Sequence, residues 1–127
     1  MKITPNLRAS VLEMVETYAT RFSVPAPRIL LSTREVLNMP KHVTAGRRTT
    51  AYKYYGVAYM QYNVVFLNIR KISDMKVLEK TIVHEIAHLR FPYLAHGKRF
   101  NNIVKKGLRG STFRPYVRRS IKYQYIR

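Results

Sequence analysis

The chain has no cysteine. Disulfides and thiolate metal sites are therefore excluded, and any bound metal must take its ligands from histidine, carboxylate or water. Acid is almost as scarce. Six Asp and Glu stand against 24 Lys and Arg, for a net charge of +18. The acids are Glu13, Glu16, Glu35, Asp74, Glu79 and Glu85, and none follows Glu85. The start, Met1-Lys2-Ile3-Thr4-Pro5, carries no long apolar run. Neither a signal peptide nor a membrane-inserted helix is expected. The expected location is cytoplasmic, or nucleoid- or nuclear-associated, and not secreted. There is no internal repeat and no low-complexity tract.

What is present suits one domain with one modest core: 127 residues, 46% of them hydrophobic. A chain this basic attracts polyanions. Nucleic acid is the first partner to consider and an anionic membrane surface the second.

The hydrophobic pattern predicts an α+β fold. Leu7, Val11, Met14, Val15 and Tyr18 recur at helical spacing, which predicts a helix over 7–22 started by Thr4-Pro5. Pro25 and Pro27 end it. Arg28–Thr33 reads as a short strand, and Glu35-Val36-Leu37 as a turn of helix. Lys41 to Thr50 reads as an exposed basic loop. Two strands follow, about 51–60 and 63–69, joined by Gln61-Tyr62-Asn63. Gly56 marks a bulge or a close backbone approach. Ser73 and Asp74 are candidate caps of a buried helix carrying Val77, Leu78, Ile82, Val83, Ile86 and Ala87. Pro92 stops that helix. A last helix, about 97–107, turns Phe100, Ile103 and Val104 inward, and Gly107 and Gly110 close it.

The buried helix carries His84-Glu85-Ile86-Ala87-His88. Residues four apart on a helix lie on one face, about 6 Å apart along the axis. Two imidazoles so placed can hold one zinc ion, and the carboxylate between them can reach a water on the metal. Two histidines and a glutamate on a stripe of Ile, Val and Ala are costly unless paired or metal-bound. A catalytic zinc site takes three protein ligands and keeps one position for water. No acid follows Glu85, and His96 is the only histidine after His88. His96 is thus the expected third ligand, with His42 the weaker candidate. Glu85 is the expected general base, moving a proton from water to the leaving amine. Arg90, Tyr93 and Tyr116 are candidates for a second donor to the developing oxyanion.

Three stretches together resemble the SprT-like (Spartan-type) zinc metalloproteases. They are Val64-Val65-Phe66-Leu67-Asn68, Thr81–Leu89 with its H-E-x-x-H, and His96-Gly97-Lys98-Arg99-Phe100. The resemblance covers most of residues 1–110, and its specific motifs span 64–100. It implies a minimal zincin, with a small mixed or antiparallel sheet packed on the H-E-x-x-H helix, plus an N-terminal helix and a C-terminal helix. It implies His84, His88 and His96 as ligands of one zinc ion, Glu85 as base, and cleavage of DNA-associated or DNA-crosslinked proteins. From composition, residues 111–127 read as a basic, aromatic tail packed on or extending the same domain. The chain departs from the family in a shorter spacer from His88 to His96 and in lacking the cysteine-rich ribbon that often follows. In zincins a substrate adds as a strand beside the active helix. The matching stretch here is 62–68, and the sequence does not say which strand is the edge.

Nucleic-acid contact is expected from Arg47, Arg48, Arg114, Arg118, Arg119 and Lys122. Near them Phe113, Tyr116, Tyr123 and Tyr125 offer rings for unpaired bases. No base-reading motif appears, so binding is expected to tolerate any DNA sequence. The alternative is a nucleic-acid-binding protein on a zincin scaffold whose zinc site is structural or vestigial.

Overall fold

The computed structural model describes residues 1–44 and 53–116. Among the described residues five α-helices and three strands run in the order α1 (Pro5–Phe22), β1 (Arg28–Leu30), α2 (Thr33–Asn38), α3 (Lys41–Thr44), β2 (Gly56–Tyr59), β3 (Val64–Leu67), α4 (Met75–Arg90) and α5 (Lys98–Leu108). The fold class is α+β, as the pattern predicts. Among the described residues no helix is long and apolar enough to cross a membrane.

Helix α1 begins where Thr4 Oγ1 accepts from the Leu7 amide at 3.0 Å, with Pro5 in the first turn. It ends at Ser23, whose φ of 55° turns the chain out. Val11, Val15, Tyr18, Ala19 and Phe22 form its buried stripe. Helix α4 is capped by Asp74, the second of the two candidates, which accepts from the Val77 amide at 3.0 Å. Its buried face includes Leu78, Ile82, Val83, Ile86 and Ala87, packed on α1 and the sheet.

The strands are shorter than their sequence patterns. Strand β1 stops at Leu30 because Ser32 caps α2, its hydroxyl accepting from the Glu35 amide at 3.2 Å. A 3-10 turn over Met60–Tyr62 and Asn63, at φ 54°, make the reversal into β3. The sheet order is β1-β3-β2, with β1 parallel and β2 antiparallel to β3. Strand β3 is therefore central, and all four of its residues are buried. The stretch 62–68 thus offers no edge to a substrate strand, and the edge beside α4 is β2.

Only one of the two glycines closes α5 as expected. Gly110 does so, with φ of 108°. Gly107 lies inside the helix, where the Phe22 ring occupies the place of a side chain. A Cβ there would sit 2.5 Å from Phe22 Cζ and 2.6 Å from Cε2. Alanine is a better helix former than glycine, yet Gly107→Ala is expected to destabilise the fold by about 1–3 kcal/mol through overpacking. Urea unfolding tests this, and an unchanged or higher midpoint would contradict the close approach.

Residues 111–116 fold back over the ends of α1 and α4. The Phe113 ring stacks on Phe22 at 4.6 Å and meets Phe91 edge-on at 5.6 Å. The Phe113 amide donates to the Arg21 carbonyl at 2.7 Å, and Ser23 Oγ donates to the Phe113 carbonyl at 2.6 Å. Arg90 Nε donates to the Arg114 carbonyl, and Tyr116 packs on Tyr93 at 5.6 Å.

Candidate metal centre

Helix α4 presents His84 and His88 one turn apart, and Phe91 and Pro92 end it. Counting those two, five residues lead from Arg90 to His96, just ahead of α5. The turn is tight: the Leu94 amide donates to the Phe91 carbonyl at 3.1 Å. It returns His96 to the helix face, so the short spacer suffices. Nε2 of His88 lies 3.1 Å from Nε2 of His84 and 2.7 Å from Nε2 of His96. A ring nitrogen carries either one hydrogen or one lone pair. His88 therefore cannot make two full hydrogen bonds through that single atom. One metal ion satisfies all three nitrogens, whose mutual spacing in a tetrahedral site is about 3.3 Å for metal–nitrogen bonds of about 2.05 Å. His84, His88 and His96 together can hold a metal ion. His42 stands elsewhere, against Tyr62.

Phe100 forms the floor of the site. It is fully buried, and its ring centroid lies 5.0, 4.4 and 5.6 Å from those of His84, His88 and His96. Among the described residues no carboxylate is hydrogen-bonded to the three rings. They are held by packing, where metal-binding histidines commonly also use a carboxylate.

The electrostatics favour a metal. Burial lowers the His88 pKa to about 4, helped by His84 and His96. Burial also lowers that of His84, with contributions from His96 and Lys80. Both rings are thus neutral near pH 7, with lone pairs available for coordination. Glu85 is 5% exposed, and burial pushes its carboxyl up to about 8. Without a nearby cation it is held as a neutral acid.

The backbone of β2 lies directly over Glu85. A Cβ built on Gly56 would stand 3.0 Å from Thr81 Cγ2, 3.1 Å from Glu85 Cγ and 3.2 Å from Glu85 Oε2. The close approach expected at Gly56 is thus present, and it seats β2 on α4. Asn68 fixes the approach to this strand. Its amide donates to the Tyr55 carbonyl at 2.8 Å and its Nδ2 to the Tyr54 carbonyl at 3.2 Å.

A cleft runs along β2 past the histidines in two lobes of about 410 and 480 Å³. Tyr54, Gly56, Glu85, His88 and His96 border both. One lobe adds Val57, Ala58 and Met60, and the other Tyr55, Val77, Lys80, Thr81 and His84. Arg90, Tyr93 and Tyr116, the candidate oxyanion donors, line neither lobe. They belong to the contact with residues 111–116. Tyr54, Tyr55 and Lys80 were not singled out as site residues. Their signal is positional: two tyrosines directly before the glycine that packs on α4, and a lysine one turn before His84.

Of the residues expected to touch nucleic acid, Arg114 is exposed. Arg47, Arg48, Arg118, Arg119 and Lys122 lie outside the described residues. No family model matches the chain, and neither a curated protein nor a solved structure matches it.

Proposed function

We propose that this chain is a zinc-dependent metalloendopeptidase of the SprT-like type that acts on proteins at DNA. The observation that carries the reading is the convergence of three imidazole Nε2 atoms beside a buried glutamate, beneath an open edge strand. Three imidazole nitrogen donors in a cleft suit zinc, which favours four-coordinate sites and keeps one position open for catalysis. When bound, zinc supplies Lewis acidity, making water a better acid and a carbonyl a better electrophile.

The chain's own residues do the rest. A peptide lies extended along the outer edge of β2 and is held by main-chain hydrogen bonds. Its side chains alternate between the cleft and solvent. Glu85 takes the proton of the attacking water on its carboxylate and returns it to the nitrogen of the breaking amide. A nearby dication favours the ionised form of Glu85 and offsets the burial that raises its pKa. The net charge of +18 supports a polyanion as the surface on which substrates are met.

The test is zinc content per chain, followed by cleavage of unstructured peptides and of a DNA-bound protein. One zinc per chain with cleavage in either assay supports the reading. A zinc-free chain, or a zinc-loaded chain that cleaves nothing, overturns it. Gly56→Ala gives a second measure, because its methyl group must displace Glu85 or Thr81 by a few tenths of an ångström. Loss of turnover by roughly tenfold at full zinc content is expected, since misplacing a catalytic group is expensive. Unchanged turnover would mean that β2 does not set the position of the carboxylate.

A further inference from the structure

We infer that the outer face of α5 is a docking surface for the phosphate backbone of duplex DNA. This rests on the nucleic-acid half of the reading above and places the contact where no sequence motif pointed.

At 100° per residue, Phe100, Ile103, Val104, Gly107 and Leu108 fall on one side of α5, and all five turn toward the core. The remaining arc carries Lys98, Arg99, Asn101, Asn102, Lys105 and Lys106, all exposed, and Arg109 just beyond. Lys98, Lys105 and Arg109 lie within about 40° of one another, a row about 16 Å long. Arg99 and Lys106 form a second row beside it. None of these cations makes an ion pair with a described residue.

Local stability accounts for Lys105 and Lys106, which complement the dipole in the last turn, but not for the other end of this face. Lys98 and Arg99 occupy the first turn, where the helix dipole favours acids, and that turn contains none. The Gly97 cap has no side-chain hydrogen bond to offset them. Asn101 and Asn102 stand mid-helix, where asparagine is a poor helix former. Like charges down one row repel. Each feature costs stability, and each suits a phosphate backbone, since Lys, Arg and Asn are common phosphate contacts. Duplex DNA carries about one negative charge per 1.7 Å of axis, so a straight row of cations on a rigid helix meets a matching line of charge. The face carries no aromatic ring, so it offers no platform for unpaired bases. His96 immediately precedes this helix, so DNA lying along α5 passes close to the metal centre.

The test uses the full-length chain with one equivalent of zinc and a random-sequence duplex of about 20 base pairs. Affinity is measured across a salt series. Each lost phosphate contact lowers the slope of log K against log salt by about 0.9. The variant Lys98→Gln, Lys105→Gln, Arg109→Gln is expected to lower it by about 2–3. If that variant fails to fold or to hold zinc, Lys105→Gln with Arg109→Gln, at the far end of the helix, is expected to lower it by about 2. The comparison chain carries Arg118→Gln, Arg119→Gln and Lys122→Gln. A wild-type slope in the α5 variants, with all loss in the comparison chain, overturns the inference but not the reading. Wild-type protein that binds no duplex overturns the DNA half of the reading as well. Anionic vesicles that bind the wild type more tightly than duplex does, and lose that binding in the α5 variants, assign the face to a membrane and overturn it too.

Discussion

Glu85→Gln is expected to slow peptide hydrolysis by about 10²–10⁴-fold while one zinc remains bound per chain. Glutamine keeps the shape of the side chain under Gly56 and Thr81 but cannot accept and return a proton. The three imidazoles are untouched, and the Phe100 floor still holds them. Burial disfavours charge at this position, and a neutral amide suits it at least as well. The folded state should therefore be as stable as wild type. Turnover, zinc content and thermal midpoint, measured on one sample, separate the possible roles. A loss confined to turnover supports a general base. A parallel loss of zinc would make Glu85 a structural part of the metal site. Undiminished turnover would remove it from the chemistry.

Removing the metal is expected to have the largest effect on stability. Zinc that binds only the folded chain stabilises it by about 4 kcal/mol at a thousand times its dissociation constant. For a chain of this size each kcal/mol is roughly 3–5 °C in midpoint, so chelation should lower the midpoint by about 12–20 °C. The metal-free fold should also become sensitive to pH. The folded-state pKa of Glu85, about 8, lies above its ordinary 4.5. Its contribution is full below 4.5 and is lost as pH rises toward 8. The pKa values of His84 and His88 are lowered, that of His88 to about 4. Their contribution is full above 6.5 and is lost as pH falls toward 4. Between pH 6.5 and 8 only the Glu85 effect operates, and stability should drop by about 2 kcal/mol. Zinc should flatten that slope by stabilising the carboxylate. Melts at the two pH values, with and without chelator, show whether it does. A flat profile in the chelated chain would mean that Glu85 is hydrated.

The parts of this fold that were legible in the sequence are those fixed by neighbours along the chain. Thr4-Pro5 and Asp74 cap their helices through bonds to amides three residues on. The H-E-x-x-H spacing puts two imidazoles on one face whatever surrounds them. His96 could be reached by elimination because the chain has so few other donors. Features that depend on distant segments were hidden. Nothing local in Val64–Leu67 says that it lies between β1 and β2, so the sequence leaves open which strand is the edge. Gly107 read as a helix end because its reason, the Phe22 ring, is 85 residues away in sequence. The basic face of α5 was visible as charge. Its rows, and the conflict of Lys98 and Arg99 with the helix dipole, emerge only once the ends of the helix are known.

The contact of residues 111–116 with the helix ends redraws the limits of the domain. The sequence suggests a natural stop at Gly110, where the last helix closes. A chain cut there would lose the ring that covers Phe22 and Phe91 and the partners of Arg21 and Ser23. It would present an apolar patch to solvent beside the turn that carries His96. Among the described residues Phe113 is thus the last side chain packed on the core, and a unit that keeps this packing ends beyond it.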